Sequence, residues 1–197
     1  DAGANVDCNP ENLFQFALMG DAYCKAMFGI DEPKIALLSI GEEDTKGNVL
    51  TKEAFKLLKD TPIGFIGNME GKDIFSGRAD VVVCDGFIGN IVLKTSEGLA
   101  ETIVKMLRRE IADATAGRIG YMFMKPALRN FKKKTDYAEY GGAPLLGING
   151  TSIISHGRSS SKAIRNAIKV ANEFSRKKVY ELIAENINSF HVKRSKI

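Results

Sequence analysis

Histidine and cysteine are scarce, with two of the first and three of the second in 197 residues. His156 and His191 stand far apart, no pair is spaced C-x-x-C, and Cys8, Cys24 and Cys84 are widely separated and odd in number. The ligand spacing of a structural zinc site is therefore missing. Cysteines used this way suit a reducing cytoplasm, and Cys84, inside an apolar run, is expected to pack as a small hydrophobe. No apolar run reaches the about 18 residues that span a bilayer, and no signal peptide is expected. Neither the G-x-x-x-x-G-K-[ST] phosphate loop nor the G-x-G-x-x-G dinucleotide fingerprint occurs. A net charge of +4 is too small to call for nucleic acid by itself. No methionine and no lead-in strand precede Asp1-Ala2-Gly3-Ala4-Asn5, so the opening reads as an interior motif with upstream sequence missing.

What is present is an ordinary globular composition, 44% hydrophobic and 26% charged, with 19 glycines, many placed directly after apolar runs. Asn9 is a good N-cap, Pro10 fits the first helical position and Glu11 complements the helix dipole. A largely apolar helix follows, which Gly29 can end. Ile35 to Ile40 reads as a buried strand, Gly41 to Gly47 as a polar loop, and a helix opens near Thr51 and runs through Lys59. Ile63 to Ile66 reads as a second strand ended by Gly67-Asn68. Ala79 to Cys84 is a third, its consecutive valines suiting a strand covered on both faces, and a long helix spans about Ile91 to Ala112. Alternation of strands and helices predicts an α/β fold with a largely parallel sheet, which gathers ligands at the carboxyl ends of its strands. Farther on, Leu145 to Ile148, Asn149-Gly150 and Thr151 to Ser155 predict a hairpin, and one helix is expected from about Lys162 to Asn188.

Four polar loops follow strands or precede helices: Asp1-x-Gly3-Ala4-Asn5-x-Asp7, Gly41 to Asn48, Asp85-Gly86-Phe87-x-Gly89-Asn90, and His156-Gly157-x-Ser159-Ser160. Glycine lets backbone N–H groups approach an anion, and a following helix N-terminus adds favourable potential. One such loop alone is usually only a turn. In order, D-x-G-A-N-x-D, G-x-E-x-x-K-G-N, D-G-F-x-G-N, Y-G-G-A and H-G-x-S resemble the phosphate acyltransferases of bacterial fatty-acid and phospholipid synthesis. The resemblance covers nearly all 197 residues and implies that they are the C-terminal portion of one catalytic unit. The family's N-terminal portion, with its M-G-G-D motif, is absent.

That resemblance implies a three-layer α/β/α architecture like that of the isocitrate and isopropylmalate dehydrogenases. It also implies a reaction in which acyl-acyl carrier protein and inorganic phosphate give acyl phosphate and free carrier protein, without metal or other cofactor. Phosphate is already anionic near neutrality and a thiolate of pKa about 8.5 is a competent leaving group. The protein's task is then positioning and charge stabilisation. Lys46 is the expected cation for phosphate, against the plainer reading of a solvated loop lysine. Asn90 is the expected oxyanion or phosphate donor, against a helix cap. His156 is the expected donor to phosphate or to the departing thiol, against a buried, hydrogen-bonded histidine. Gly3, Asn5, Asp7, Glu42, Gly47, Asn48, Asp85, Gly86, Gly89, Gly157, Ser159 and Ser160 complete the expected substrate-binding set. Asp85 is the group expected to hold Lys46 or support the Gly86 turn, and Ser159 and Ser160 to cap the last helix. An acyl-coenzyme A phosphotransferase and a non-catalytic dimerisation and membrane-binding piece are the alternatives.

From Arg108 to Lys134 eight basic residues stand against two acidic ones, interleaved with Tyr121, Met122, Phe123, Met124 and other apolar residues. Pro126, Gly117 and Gly120 predict a protruding helical hairpin, placed at 98–134. A core-facing helix pair, a seam between two copies, and a surface for anionic lipid or acidic carrier protein all fit this composition. The family resemblance favours a homodimer seam at the base and contact of residues 121–124 with the inner face of the membrane. No nucleic-acid recognition motif accompanies the charge.

Overall fold

The computed structural model describes residues 1–113, Pro126 and 141–194. Within them the chain is α/β. Its main sheet has three strands, β1 (Ile35–Ser39), β2 (Phe65–Glu70) and β3 (Val81–Val83), in the order β2-β1-β3 with both pairings parallel. β1 is central, and Ile35, Ala36 and Leu37 are fully buried, as a strand covered on both faces requires.

Helix α1 (Pro10–Tyr23) starts as its sequence dictates. The Asn9 side chain accepts from Asn12 N, and Asn12 returns a bond to the Asn9 backbone, a reciprocal cap. The helix widens into a π-helical turn over Cys24–Phe28 and stops at Gly29, φ 68°. Helix α2 (Val49–Lys59) is capped by Asn48. Leu13, Phe14, Ala17 and Leu18 of α1 and Ala54, Phe55 and Leu58 of α2 form one core with Ile35, Leu37 and Val83.

Two compact units are distinguished: Asp1–Asn90, Leu145–Ser152 and Ala171–Ile197 in one, and Ile91–Pro144 and Ile153–Val170 in the other. Helix α3 (Gly86–Asp113) and helix α4 (Ser161–Arg176) each contribute residues to both. The second unit also holds a two-stranded antiparallel ladder, β4 (Ala143–Pro144) with β5 (Ile153–Ile154). The last helix, α5 (Val179–Arg194), returns to the first unit, where Ile187 and Phe190 pack on the α1 core.

Several expected boundaries move. Gly67-Asn68 does not end the second strand. Gly67, φ 98°, sits where the register against β1 shifts; it makes a bulge after which Asn68 and Met69 continue the strand, buried at 6% and 1% exposure. The long helix opens at Gly86 rather than near Ile91, because the Asp85 carboxylate accepts from Ile88 N at 2.8 Å and caps it. The third strand is shorter than expected. No two-residue hairpin forms at Asn149-Gly150: the ladder ends at β4 and β5, followed by a bond from Leu145 N to Ser152 O of 2.9 Å. Leu146 instead packs beside Phe174, Val179 and Ile183. The single terminal helix is two, broken where Lys178 takes a left-handed conformation, φ 52°, so that Phe174 and Val179 on either side are both buried. Tyr121, Met122, Phe123 and Met124, and the hairpin expected over 98–134 beyond Asp113, lie outside the described residues, save Pro126. Among the described residues no helix is long and apolar enough to cross a membrane.

Candidate functional site

All three strands of the parallel sheet run the same way, so the segments after β1, β2 and β3 emerge at one edge. They carry Gly41 to Asn48, Lys72 to Arg78, and Cys84 to Asn90. The opening loop, Asp1 to Cys8, joins them there. Its Asp1 carboxylate accepts from the backbone N–H groups of Gly3 (2.8 Å), Ala4 (2.8 Å) and Asn5 (2.9 Å) and from Asn5 Nδ2 (2.7 Å).

This loop interlocks with the start of α3. Asp1 N donates to Cys84 O at 3.1 Å, and Gly86 N donates to Asn5 O at 2.8 Å. The packing explains the glycines of D-G-F-x-G-N. A Cβ on Gly86 would stand 2.6 Å from Asn5 O, and one on Gly89 would overlap Asp1 O. Both glycines thus lie in the first turns of α3, where their lack of a side chain admits a neighbouring backbone. Asn90, exposed, has its side chain against Gly3, whose added Cβ would be 3.7 Å from Asn90 Cγ. The structure therefore brings Gly3, Asn5, Asp85, Gly86, Gly89 and Asn90 together. Asp7 lies in the same loop, exposed. Cys8 and Cys84 border the contact; burial pushes both thiols up.

The loop after β1 is acidic, and two of its three carboxylates are paired with cations other than Lys46. Glu42 is paired with Arg78, whose guanidinium also lies 3.8 Å from Asp73. The hydrogen bond from Arg78 holds the Glu42 carboxyl below the usual carboxylate range and raises Arg78 in turn. Glu43 O accepts from Nδ2 of buried Asn68 at 2.8 Å, and Asp44 pairs with Lys59 at 3.2 Å. The Asn48 side chain is used as a cap, accepting from Thr51 N at 2.9 Å. Gly47, φ 111°, sits over Ser39 and Thr51, and a Cβ there would overlap Thr51 Oγ1. Lys46 is exposed, and among the described residues no acceptor holds its ammonium and no ion pair joins it to Asp85. Arg78, tied to this loop from 36 positions away, was not legible as a site residue; nothing near it in sequence marks the partnership.

His156, Gly157, Ser159 and Ser160 belong to the second unit. His156 is exposed rather than buried. Its Nδ1 accepts from Arg158 N at 3.2 Å, which assigns the proton of the neutral ring to Nε2. Ser160 Oγ accepts from Ala163 N at 3.2 Å and caps α4. Ser159 Oγ is a buried atom with no hydrogen-bond partner, and Gly157 has open space around it. The Gly141-Gly142 pair of the Y-G-G-A motif packs closely here too: a Cβ on Gly141 would overlap Ala167 N of α4. Among the described residues no cluster of His, Cys, Asp and Glu is arranged to hold a metal ion.

Three relatives place this arrangement among known proteins. A phosphate acyltransferase of Thermodesulfovibrio yellowstonii is 69% identical over 188 residues, which take in 95% of this chain and 54% of the relative. One of Geobacter sulfurreducens is 56% identical over 189 residues, 96% of this chain and 55% of the relative. One of Campylobacter jejuni is 53% identical over 191 residues, 97% and 58%. The chain thus spans about half the length of the curated relatives it matches. A family model described as fatty acid synthesis protein matches residues 1–182, from the Asp1 loop through Lys46, Asn90 and the capped start of α4. The chain belongs to the fatty acid synthesis protein family.

Proposed function

We propose that the full-length protein is a phosphate acyltransferase that forms acyl phosphate from acyl-acyl carrier protein and inorganic phosphate for phospholipid synthesis. The observation that carries this reading is the uncommitted Lys46 ammonium, at the same sheet edge as Asn90, in a chain 69% identical to a phosphate acyltransferase. In the reaction a phosphate oxygen attacks the thioester carbonyl carbon, the carbonyl becomes a tetrahedral oxyanion, and the C–S bond breaks to release the carrier's thiolate. A leaving group of pKa about 8.5 needs little protonation. Lys46 binds phosphate and offsets the developing charge, Asn90 donates to phosphate or oxyanion, and His156 donates to phosphate or helps the thiol depart. Gly3, Asn5, Asp7, Asp85, Gly86 and Gly89 shape the wall beside Asn90. Glu42, Gly47 and Asn48 shape the Lys46 loop, and Gly157, Ser159 and Ser160 the His156 turn.

The same reading includes the three-layer dehydrogenase-like architecture, a homodimer, and peripheral attachment of a cytoplasmic enzyme to the membrane through the segment at 98–134. Exposed Leu99, Ile103 and Met106 on α3 support an interface there. The test uses the full-length enzyme with acyl-acyl carrier protein and phosphate. Lys46→Ala and Asn90→Ala are each expected to cut turnover by about 10²-fold or more. Near-normal rates would place the chemistry on other residues, and preferred use of short acyl-coenzyme A would replace this reading with the phosphotransferase one.

A further inference from the structure

Glu42, Glu43 and Asp44 stand within four residues of Lys46, and a lysine in such company is ordinarily neutralised by one of them. Here Asp44 is drawn off to Lys59 and Glu42 to Arg78. Arg78 is itself braced from the other side by Asp73, 3.8 Å away in the segment after β2. The Lys46 stem folds back over Gly41: a Cβ placed on Gly41 would lie 2.8 Å from Lys46 Cγ and 2.9 Å from Glu43 Oε2. Glu42, four residues from Lys46 in the same loop, is the carboxylate that loses its partner if Arg78 is removed. No ion pair within 4.0 Å forms between Glu43 and Lys46.

We infer that Arg78 is a positioning residue, which holds Glu42 toward the segment after β2 and so leaves Lys46 unpaired and open to an anion. The inference rests on the reading of Lys46 as the phosphate-binding cation. It also gives Glu42 a different part: the carboxylate is the handle by which the loop is held rather than a group turned to the substrate. The Arg78–Glu42 bond ties the segment after β2 to the loop after β1, and a charge-assisted bond of this kind adds geometric definition as well as attraction. Removing the arginine would leave Glu42 to compete with phosphate for the one cation the loop has kept free.

The experiment uses the full-length enzyme and inorganic phosphate as the varied substrate. Arg78→Met is expected to raise KM for phosphate about five-fold while kcat stays within about two-fold, the size of effect an exposed charge pair supports. Adding Glu42→Gln to Arg78→Met is expected to return KM to within about two-fold of the parent, because the released carboxylate is gone. A KM unchanged in Arg78→Met overturns the inference. So does a KM that stays high in the double variant, the result expected if Arg78 touched phosphate itself or only supported the fold. Hydrogen exchange supplies a readout independent of turnover: amides 41–48 are expected to exchange faster in Arg78→Met, and unchanged exchange also overturns the inference. A parent enzyme that makes no acyl phosphate would sink the acyltransferase reading, and the exchange measurement would still decide whether Arg78 holds the loop.

Discussion

Replacing Gly89 by alanine tests the interlock on which the Asn90 site is built. Inside a helix this change ordinarily stabilises a protein by about 0.5–1 kcal/mol, since alanine loses less backbone freedom. Here the sign should reverse. The new Cβ would overlap Asp1 O, stand 2.9 Å from Asp1 C and press on Cys84 Sγ at 3.0 Å. The obstacle is backbone, which has no rotamer to change. Either the Asp1 loop withdraws, surrendering the bonds from Asp1 N to Cys84 O and from Gly86 N to Asn5 O, or the first turn of α3 shifts. Two such bonds are worth about 1 kcal/mol each, and forced overpacking costs about 1–3 kcal/mol. Against the helix-propensity gain, either route leaves a net loss of about 1–2 kcal/mol. Urea unfolding of the full-length protein reads it directly as a lower midpoint at similar slope. Gly98→Ala is the matched control: the same helix, nothing within 4 Å of the added Cβ, and an expected gain of about 0.5–1 kcal/mol. If Gly89→Ala proves as stabilising as Gly98→Ala, the two loops are not locked as described.

Further outcomes follow from other parts of the chain. Cys24 is buried, and that burial pushes its thiol up to about 11 from an ordinary value of 9.0; alkylation at pH 8 should run roughly 100-fold slower in the folded protein than in urea, and equal rates would contradict its burial. Polar replacement of Met122, Phe123 and Met124 together should release the full-length enzyme from anionic vesicles in a flotation assay, as loss of interfacial apolar anchors predicts; unchanged binding would remove the membrane role from this segment.

The features legible in the sequence are those set by local chemistry. Asn9-Pro10 before an apolar run announced α1, Gly29 its end, and the consecutive valines a doubly covered strand. What escaped depends on distant partners. Glycine reads as an ending, yet Gly67 is a bulge that β1 carries across, and Gly86 and Gly89 are helical because the Asp1 loop requires their bareness. Lys178 gives no local sign of a left-handed turn; the demand comes from Phe174 and Val179, both seeking the same core. In the candidate site, Lys46 and Asn90 stood out by pattern, whereas Arg78 is joined to its loop only by the fold.

The last helix also bears on how the molecule comes into being. Phe190 meets Phe14 edge-on at 6.0 Å between ring centroids, and Asn186 donates to Leu18 O across 168 positions of sequence. Part of the α1 surface is therefore covered only once α5 has been made. During synthesis at about 5–20 residues per second, the apolar face of α1 and the sheet beneath it must remain incompletely covered for roughly ten seconds or more. Pairings this distant also slow folding once the chain is free. Truncation before α5 should therefore leave the α1 core less stable than in the parent.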